Sequence, residues 1–135
     1  MLQMANVTSS DVVYDLGCGD GRIPIMAAQK YGARGVGIDI DPRRIADANE
    51  NAKEAGVTGN VKFLVQDLFT SDFGEATVVT LYLLPSVNEK LLPKLQKELK
   101  PGTRIVSHAF TFGDAWPYER KEEVEGKTIY FWTVK

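Results

Sequence analysis

The strongest constraint on the fold is a glycine-rich turn that follows a short apolar run. Residues 12–16 have the composition of a buried parallel strand, and glycine occupies every second position from Gly17 to Gly21. Glycine permits a sharp turn and lets a ligand approach the backbone closely. The N-terminus of a following helix offers free N–H groups. The segment therefore predicts a strand, a turn and a helix that together open a ligand site.

The rest of the chain alternates between strand and helix patterns. Gly32 ends the first helix, and Asp41 and Pro42 begin a second helix that Gly56 ends. We predict helices at residues 23–31 and 42–55, strands at 12–16, 36–39, 61–65, 76–83 and 103–110, and a hairpin of 118–124 with 128–134. This order predicts an α/β fold with a doubly wound, mostly parallel sheet and an antiparallel C-terminal hairpin.

A proline interrupts the helical pattern between residues 85 and 100. Leu91, Leu92, Leu95 and Leu99 supply its apolar positions, and Pro93 lies among them. Proline breaks a helix interior because it lacks an N–H group and its ring clashes with the preceding turn. We therefore predict a short turn over residues 86–91 and a new helix that starts at Pro93.

Length and charge exclude several classes of protein. The 135 residues predict one domain over 1–135, and 16 basic against 18 acidic residues give a net charge of −2, which argues against nucleic-acid binding by bulk electrostatics. Cys18 is the single cysteine, so there is no intrachain disulfide, and we predict no metal site. The sequence shows neither a membrane span nor a signal peptide, which predicts a cytoplasmic protein, and it leaves the oligomeric state open.

Four aspartates are expected at the carboxyl ends of the strands, where sheets of this type bind ligands. They are Asp15, Asp20, Asp39 and Asp67. The nicotinamide fingerprint G-x-G-x-x-G does not match, because Arg22 stands where its third glycine belongs. Carboxylates suit a cationic ligand better than a pyrophosphate. A nicotinamide oxidoreductase is therefore disfavoured.

These motifs resemble those of class I S-adenosylmethionine-dependent methyltransferases. The segment Asp15-x-Gly17-x-Gly19-x-Gly21 resembles the family's first motif, Asp39 and Ile40 its second, and Gln66-Asp67-Leu68 its third. The resemblance implies the sheet order 3-2-1-4-5-7-6, S-adenosylmethionine as the cofactor and S-adenosylhomocysteine as the product. The cofactor-binding residues that it implies are Asp15, Gly17, Cys18, Gly19, Asp20, Gly21, Asp39, Ile40, Asp67, Leu68 and Tyr82.

Further segments resemble a compact branch of small prokaryotic methyltransferases, akin to seven-strand protein lysine methyltransferases. They are Gly-Asp-Gly-Arg, Gly-Ile-Asp-Ile-Asp-Pro and Tyr-Leu-Leu-Pro-Ser-Val-Asn. This resemblance implies methyl transfer to nitrogen, with a protein lysine or a small molecule as acceptor. We also expect a minimal core without the N-terminal helix that covers the cofactor in relatives. The alternative is an S-adenosylmethionine-binding module that needs a partner for activity.

Several residues have both a chemical and a structural interpretation. Tyr82 ends strand 4, where its phenol could orient an attacking amine or simply pack. His108 is the only histidine, and it is either a base or a structural strand residue. Aromatic residues after strand 5 either line a substrate mouth or cover the sheet. They are Phe110, Phe112, Trp116 and Tyr118.

Overall fold

The computed structural model describes residues 2–83, 85–108, 111–112 and 116–135, with the side chain of residue 85 excepted. Its strands are β1 (Val12–Leu16), β2 (Arg34–Asp39), β3 (Val61–Val65), β4 (Val78–Leu81), β5 (Arg104–His108), β6 (Arg120–Val124) and β7 (Lys127–Thr133). Its helices are α1 (Arg22–Tyr31), α2 (Pro42–Ala55) and α3 (Pro85–Glu98). No helix in these ranges is both long and apolar enough to cross a bilayer.

All seven strands form one sheet in the order β3-β2-β1-β4-β5-β7-β6. The five strands from β3 to β5 are parallel, and β7 pairs antiparallel with both β5 and β6. The predicted fold class and strand order are therefore confirmed. The parallel pairing brings the carboxyl ends of β1, β2 and β4 to one edge of the sheet, and this edge carries the candidate site.

The helix ends follow the signals read from the sequence. The side chain of Asp41 accepts a hydrogen bond of 2.9 Å from the backbone N–H of Arg43, and Pro42 occupies the first position of α2. Gly32 and Gly56 adopt left-handed conformations directly after α1 and α2. The first two helices consequently have the predicted lengths to within about one residue.

The predicted interruption of the third helix is wrong. The helix α3 runs continuously through Pro93, which is exposed. Leu91 and Leu95 on either side of the proline are fully buried in the core and anchor the helix against the sheet. This burial outweighs the loss of one intrahelical hydrogen bond on the solvent side. Strands β4 and β5 are also shorter than predicted, and positions 109 and 110 of the predicted fifth strand lie outside the described residues.

The two faces of the sheet are covered differently. On one face, the leucines of α3 pack against Leu81, Ile105 and the fully buried Trp132. On the other face, α1 and α2 cover one half of the sheet. The segment of residues 2–7 covers the other half, where Leu2 and Val7 are buried with Val106 of β5. This segment forms turns, and no helix precedes β1 within residues 2–11.

Leu95→Ala tests the placement of α3. Truncation of this fully buried side chain should lower the free energy of unfolding by about 2–5 kcal/mol, because it removes apolar contacts and leaves a cavity. Gln96→Ala, at the adjacent exposed position, should change it by less than about 0.5 kcal/mol. Chemical denaturation followed by circular dichroism measures both values, and equal effects of the two changes would contradict the placement.

Candidate functional site

A cleft of about 630 Å³ opens at the carboxyl ends of the strands. It combines the glycine turn after β1, the ends of β2 and β4, and the first residue of β7. Its lining residues are Asp15, Gly17, Cys18, Gly19, Asp20, Arg22, Ile23, Asp39, Asp41, Arg44, Tyr82, His108 and Lys127. Ligands bind to open α/β sheets at this edge, so the cleft is the candidate site.

The glycine turn is held against the end of β2 by backbone hydrogen bonds. The N–H groups of Gly17 and Cys18 both donate to the carbonyl oxygen of Ile38, at 2.8 and 3.1 Å. Gly17 has a φ of +78°, and a Cβ at this position would lie 2.7 Å from a methyl carbon of Leu83. The left-handed conformation therefore disfavours any side chain at position 17, and a larger residue would also have to displace the side chain of Leu83.

The carboxylate of Asp39 connects the glycine turn to the start of α2. One of its oxygens accepts a hydrogen bond of 3.0 Å from the backbone N–H of Gly19, and the other accepts one of 3.0 Å from the backbone N–H of Asp41. Each carboxylate oxygen can accept a second bond. Asp39 is therefore fixed in position, with acceptor capacity left for a ligand in the cleft.

Asp15 is a buried carboxyl group at the base of the cleft. It is only 3% exposed, and the hydroxyl of Thr80 donates to its Oδ1 atom at 2.8 Å. Burial, opposed by the hydrogen bond from Thr80 and reinforced by the nearby charges of Asp39 and Asp20, raises the pKa of Asp15 to about 7. This carboxyl group thus titrates near neutral pH, unlike an ordinary aspartate.

Asp20 and Arg22 form an ion pair at the rim of the cleft. Their side chains approach to 2.9 Å, with the arginine largely exposed to solvent. The hydrogen bonds from Arg22 hold the pKa of Asp20 below its usual value. The amide of Asn51 donates to the carbonyl oxygen of Asp20 at 3.0 Å and fixes the turn to α2. Asp20 is consequently ionised at neutral pH.

Tyr82 and His108 form a stacked pair at the β4–β5 side of the cleft. Their ring centroids are 4.4 Å apart, and the rings are inclined by 21°. Tyr82 is 61% exposed, so the open face and the phenol remain accessible. Burial and the nearby charge of Lys127 lower the pKa of His108, which favours the neutral imidazole at pH 7. The pair forms an uncharged aromatic wall.

The surroundings of Cys18 indicate a packing role for its side chain. Its side chain is buried with Ile45 and Phe63 between the turn and α2, and a Cβ at Gly37 would lie 2.8 Å from its sulfur. Burial, with the charges of Asp15 and Asp39, raises the pKa of Cys18 to about 12. The thiol is therefore protonated at neutral pH and unreactive. No group of three or more metal-ligating side chains occurs in the described part of the chain.

Four residues predicted to bind the cofactor do not line the cleft. Gly21 packs on Phe63, since a Cβ there would lie 2.7 Å from the ring. Asp67 is exposed and accepts a bond of 2.9 Å from the backbone of Phe69. Leu68 packs against the core, and Ile40 is 68% exposed after β2. Their cofactor contacts stay predictions.

Three of the aromatic residues after β5, namely Phe112, Trp116 and Tyr118, cover the sheet rather than line the cleft. Phe112 is buried and stacks on Trp116 at 5.5 Å, and it meets Trp132 edge-on at 4.8 Å. The indole N–H of Trp132 donates to the carbonyl oxygen of Trp116 at 2.8 Å. Tyr118 packs on Tyr130 of β7. Phe110 lies outside the described residues.

The sequence analysis missed several lining residues. Arg22 and Ile23 begin α1, and Asp41 and Arg44 lie at the start of α2, so the predicted helix starts could have identified them. Lys127 carried no comparable signal. It reaches the cleft because β7 inserts between β5 and β6, a pairing that only the sheet order reveals.

Comparison with known proteins identifies the family. The model of the ANTKMT methyltransferase domain matches residues 15–119. The chain belongs to this family. A protein-lysine N-methyltransferase of Saccharolobus islandicus is 46% identical, over 99% of this chain and 86% of that protein. The adenine nucleotide translocase lysine N-methyltransferase of Mus musculus is 38% identical over 71% of this chain, which spans only 42% of that protein's length. The resemblance inferred from the motifs is confirmed.

A solved structure shares nearly the whole fold. The RNA methyltransferase from Salinibacter ruber, crystallised with S-adenosylhomocysteine, has a TM-score of 0.96 and 57% sequence identity over 98% of this chain and 86% of that chain. The sheet order and the methyltransferase family therefore agree between sequence and structure comparisons. The archaeal relative and this solved structure differ in the acceptor that their names give, which is a protein lysine in one and RNA in the other.

Asp15→Asn tests the electrostatics of the cleft base. The folded-state pKa of Asp15 lies near 7, above the ordinary value of 3.8, so folding favours the protonated carboxyl group. The free energy of unfolding therefore decreases as the pH rises from about 4 through about 7. The neutral amide should abolish this loss and raise the free energy of unfolding at pH 8 by about 1–3 kcal/mol. Urea denaturation at several pH values measures it.

Asp11→Asn is the matched control with the opposite sign. Burial alone would raise the pKa of Asp11, but bonds from Thr8 and Thr77 and the ion pair with Arg104 hold it below the usual value. The amide should therefore destabilise the fold at neutral pH, and this effect should disappear as the pH falls through the lowered pKa of Asp11. A stabilising Asp11→Asn, or a destabilising Asp15→Asn at pH 8, would contradict the assignment.

Proposed function

We propose that this protein uses S-adenosylmethionine to methylate the ε-amino group of lysine side chains in proteins. The observation that carries the proposal is the cleft with four carboxyl groups at its lining, from Asp15, Asp20, Asp39 and Asp41. S-adenosylmethionine carries a sulfonium and an ammonium cation and no phosphate. Clustered carboxylates attract such a ligand and repel a pyrophosphate.

The residues present fit this cofactor. Asp39 is held rigidly and keeps acceptor capacity for the ribose hydroxyls, as the family's second motif implies. A Cβ added at Gly19 would meet only the Nη1 atom of Arg44 within 4 Å, so the backbone at this position is open to a ligand. We assign the turn of residues 17–20, Asp15 and Asp39 to cofactor binding.

The chain contributes alignment to the reaction. When bound, S-adenosylmethionine supplies an electrophilic methyl group. Tyr82 borders the cleft with an accessible phenol, and we propose that it accepts a hydrogen bond from the acceptor amine and orients it. The amine must be neutral to attack, and its proton passes to water or to a cleft carboxylate. His108 is neutral at pH 7 and stacks behind Tyr82.

Lysine is favoured over RNA as the acceptor. The archaeal relative and the mouse relative are both named lysine N-methyltransferases, although the Salinibacter ruber neighbour is named an RNA methyltransferase. A net charge of −2 and a carboxylate-lined cleft attract a cationic side chain rather than a polyanion. Arg22, one of the two arginines that line the cleft, forms an ion pair with Asp20.

The remaining predictions concern the whole protein. A partner-dependent binding module is not favoured, because the archaeal relative, 86% of which this chain covers, is itself named an enzyme. We propose one methyltransferase domain over residues 1–135 and a cytoplasmic location, both on the sequence pattern.

A methyl-transfer assay separates the two acceptors. The protein is incubated with S-adenosylmethionine carrying a radioactive methyl group, together with either casein or RNA transcribed in vitro. We expect label in casein, removed by prior chemical acetylation of its lysines, and none in RNA. Label confined to RNA would overturn the lysine proposal, and label in neither casein nor RNA would point to an acceptor of another class, such as a small molecule.

Asp39→Ala tests the cofactor contact. Loss of a charge-assisted hydrogen bond should weaken S-adenosylhomocysteine binding by about 1.5–3 kcal/mol in isothermal titration calorimetry. Asp47→Ala removes the same charge from an exposed position of α2 outside the cleft and should leave the affinity unchanged. Equal affinities of all three proteins would contradict the role of Asp39.

Gly19→Val tests the open backbone of the turn. The branched side chain would fill the space beside the backbone and should abolish binding of S-adenosylhomocysteine. Because Gly19 has a φ of +55°, the variant also strains the turn, so its folding is checked by circular dichroism. A folded variant with wild-type affinity would show that the ligand does not approach this backbone.

A further inference from the structure

We infer that Lys127 is a methylation site of this protein, modified by the cleft of its own chain. The inference rests on the proposed lysine methyltransferase function and adds an acceptor that is built into the fold. Lys127 is the first residue of β7 and lines the cleft together with Tyr82 and His108. No other lysine lines the cleft in the described part of the chain.

The sheet register places Lys127 on the side of the cleft that Tyr82 and His108 form. In the antiparallel pair of β5 and β7, His108 lies directly opposite Ile129. Opposed residues in a sheet point to the same face, and so do residues two apart along one strand. Lys127, Ile129 and His108 therefore share one face at the edge of the sheet where the cleft opens.

The distance from β7 to the end of β4 is within reach of a lysine side chain. One strand, β5, lies between them, and the register places Lys127 two residues beyond the level of Tyr82, so the two Cα atoms are about 11–12 Å apart at the usual strand spacing and rise. A lysine stem of four carbons extends by about 6 Å. The ammonium group can thus approach within a few ångströms of Tyr82, which follows β4 directly.

Lys127 is also free to move into the cleft. Its side chain is exposed and forms no hydrogen bond or salt bridge within the described ranges. Its charge acts on His108, which faces the same cleft. An unpaired lysine beside an uncharged aromatic wall can reorient without breaking another contact, so the stem can carry its amine to Tyr82.

The reaction is the same methyl transfer with an internal acceptor. The ε-ammonium of Lys127 first loses a proton to water. The neutral nitrogen then forms a bond to the methyl carbon as the bond from that carbon to sulfur breaks, and the electron pair stays on sulfur. The products are N-methyl-lysine, which is cationic, and S-adenosylhomocysteine. No oxidant or metal is needed for this balance.

Peptide mapping by mass spectrometry tests the inference. The purified protein is incubated alone with S-adenosylmethionine carrying a deuterated methyl group, then digested. We expect the label on Lys127 and not on Lys121, an exposed lysine of the neighbouring strand β6 that does not line the cleft. Lys127→Arg should lose the label, whereas Lys121→Arg should retain it. Label on other lysines only would overturn the inference.

Two further measurements separate this inference from the proposed function. The labelled fraction should grow at a rate independent of protein concentration, and a rate proportional to concentration would show transfer between molecules and contradict the inference. Lys127→Arg should bind S-adenosylhomocysteine as tightly as the wild type in calorimetry, and a clear loss would assign Lys127 to cofactor binding instead. Labelled casein without labelled Lys127 refutes only the self-methylation, whereas no label on either refutes the lysine methyltransferase function.

Discussion

The hydrogen bonds between Asp39 and the backbone N–H groups of Gly19 and Asp41 organise the whole site. They join the turn after β1 to the start of α2, while the carbonyl oxygen of Ile38 holds the beginning of the same turn. The glycines allow the backbone to follow this path, because Gly17 and Gly19 both have positive φ angles. The site is therefore a property of backbone conformation, and one carboxylate fixes it.

The parallel pairing of β2, β1 and β4 gives the cleft its charge. Asp15 of β1 pairs with Gly37 of β2, and Asp39 of β2 pairs with Val65 of β3. These parallel pairings bring both carboxyl groups toward the same edge of the sheet. The pKa values of Asp15 and Asp20 differ because burial raises that of Asp15 to about 7, whereas Asp20 lies at the rim and hydrogen bonds from Arg22 lower its pKa. The β4–β5 side offers an uncharged stack of Tyr82 on His108. The side of the cleft with the carboxyl groups therefore suits the cationic methyl donor, and the uncharged aromatic side suits the amine acceptor.

The sequence predicted most of the fold because its signals were local. Glycines and Asp41 marked the helix ends, and the family motifs implied the sheet order. The failure at Pro93 has a tertiary cause, since the burial of Leu91 and Leu95 overrides a local helix breaker. Lys127 joined the cleft through a non-local strand pairing that no spacing in the sequence reveals.

The central claim is that the glycine turn and its carboxylates form a site for a cationic methyl donor rather than for a dinucleotide. Calorimetric titration of the purified protein with S-adenosylmethionine, and separately with NADH, tests this claim most directly. We predict saturable binding of S-adenosylmethionine at one site per chain, and no heat of binding with NADH at the same concentrations. Saturable binding of NADH without binding of S-adenosylmethionine would contradict the account.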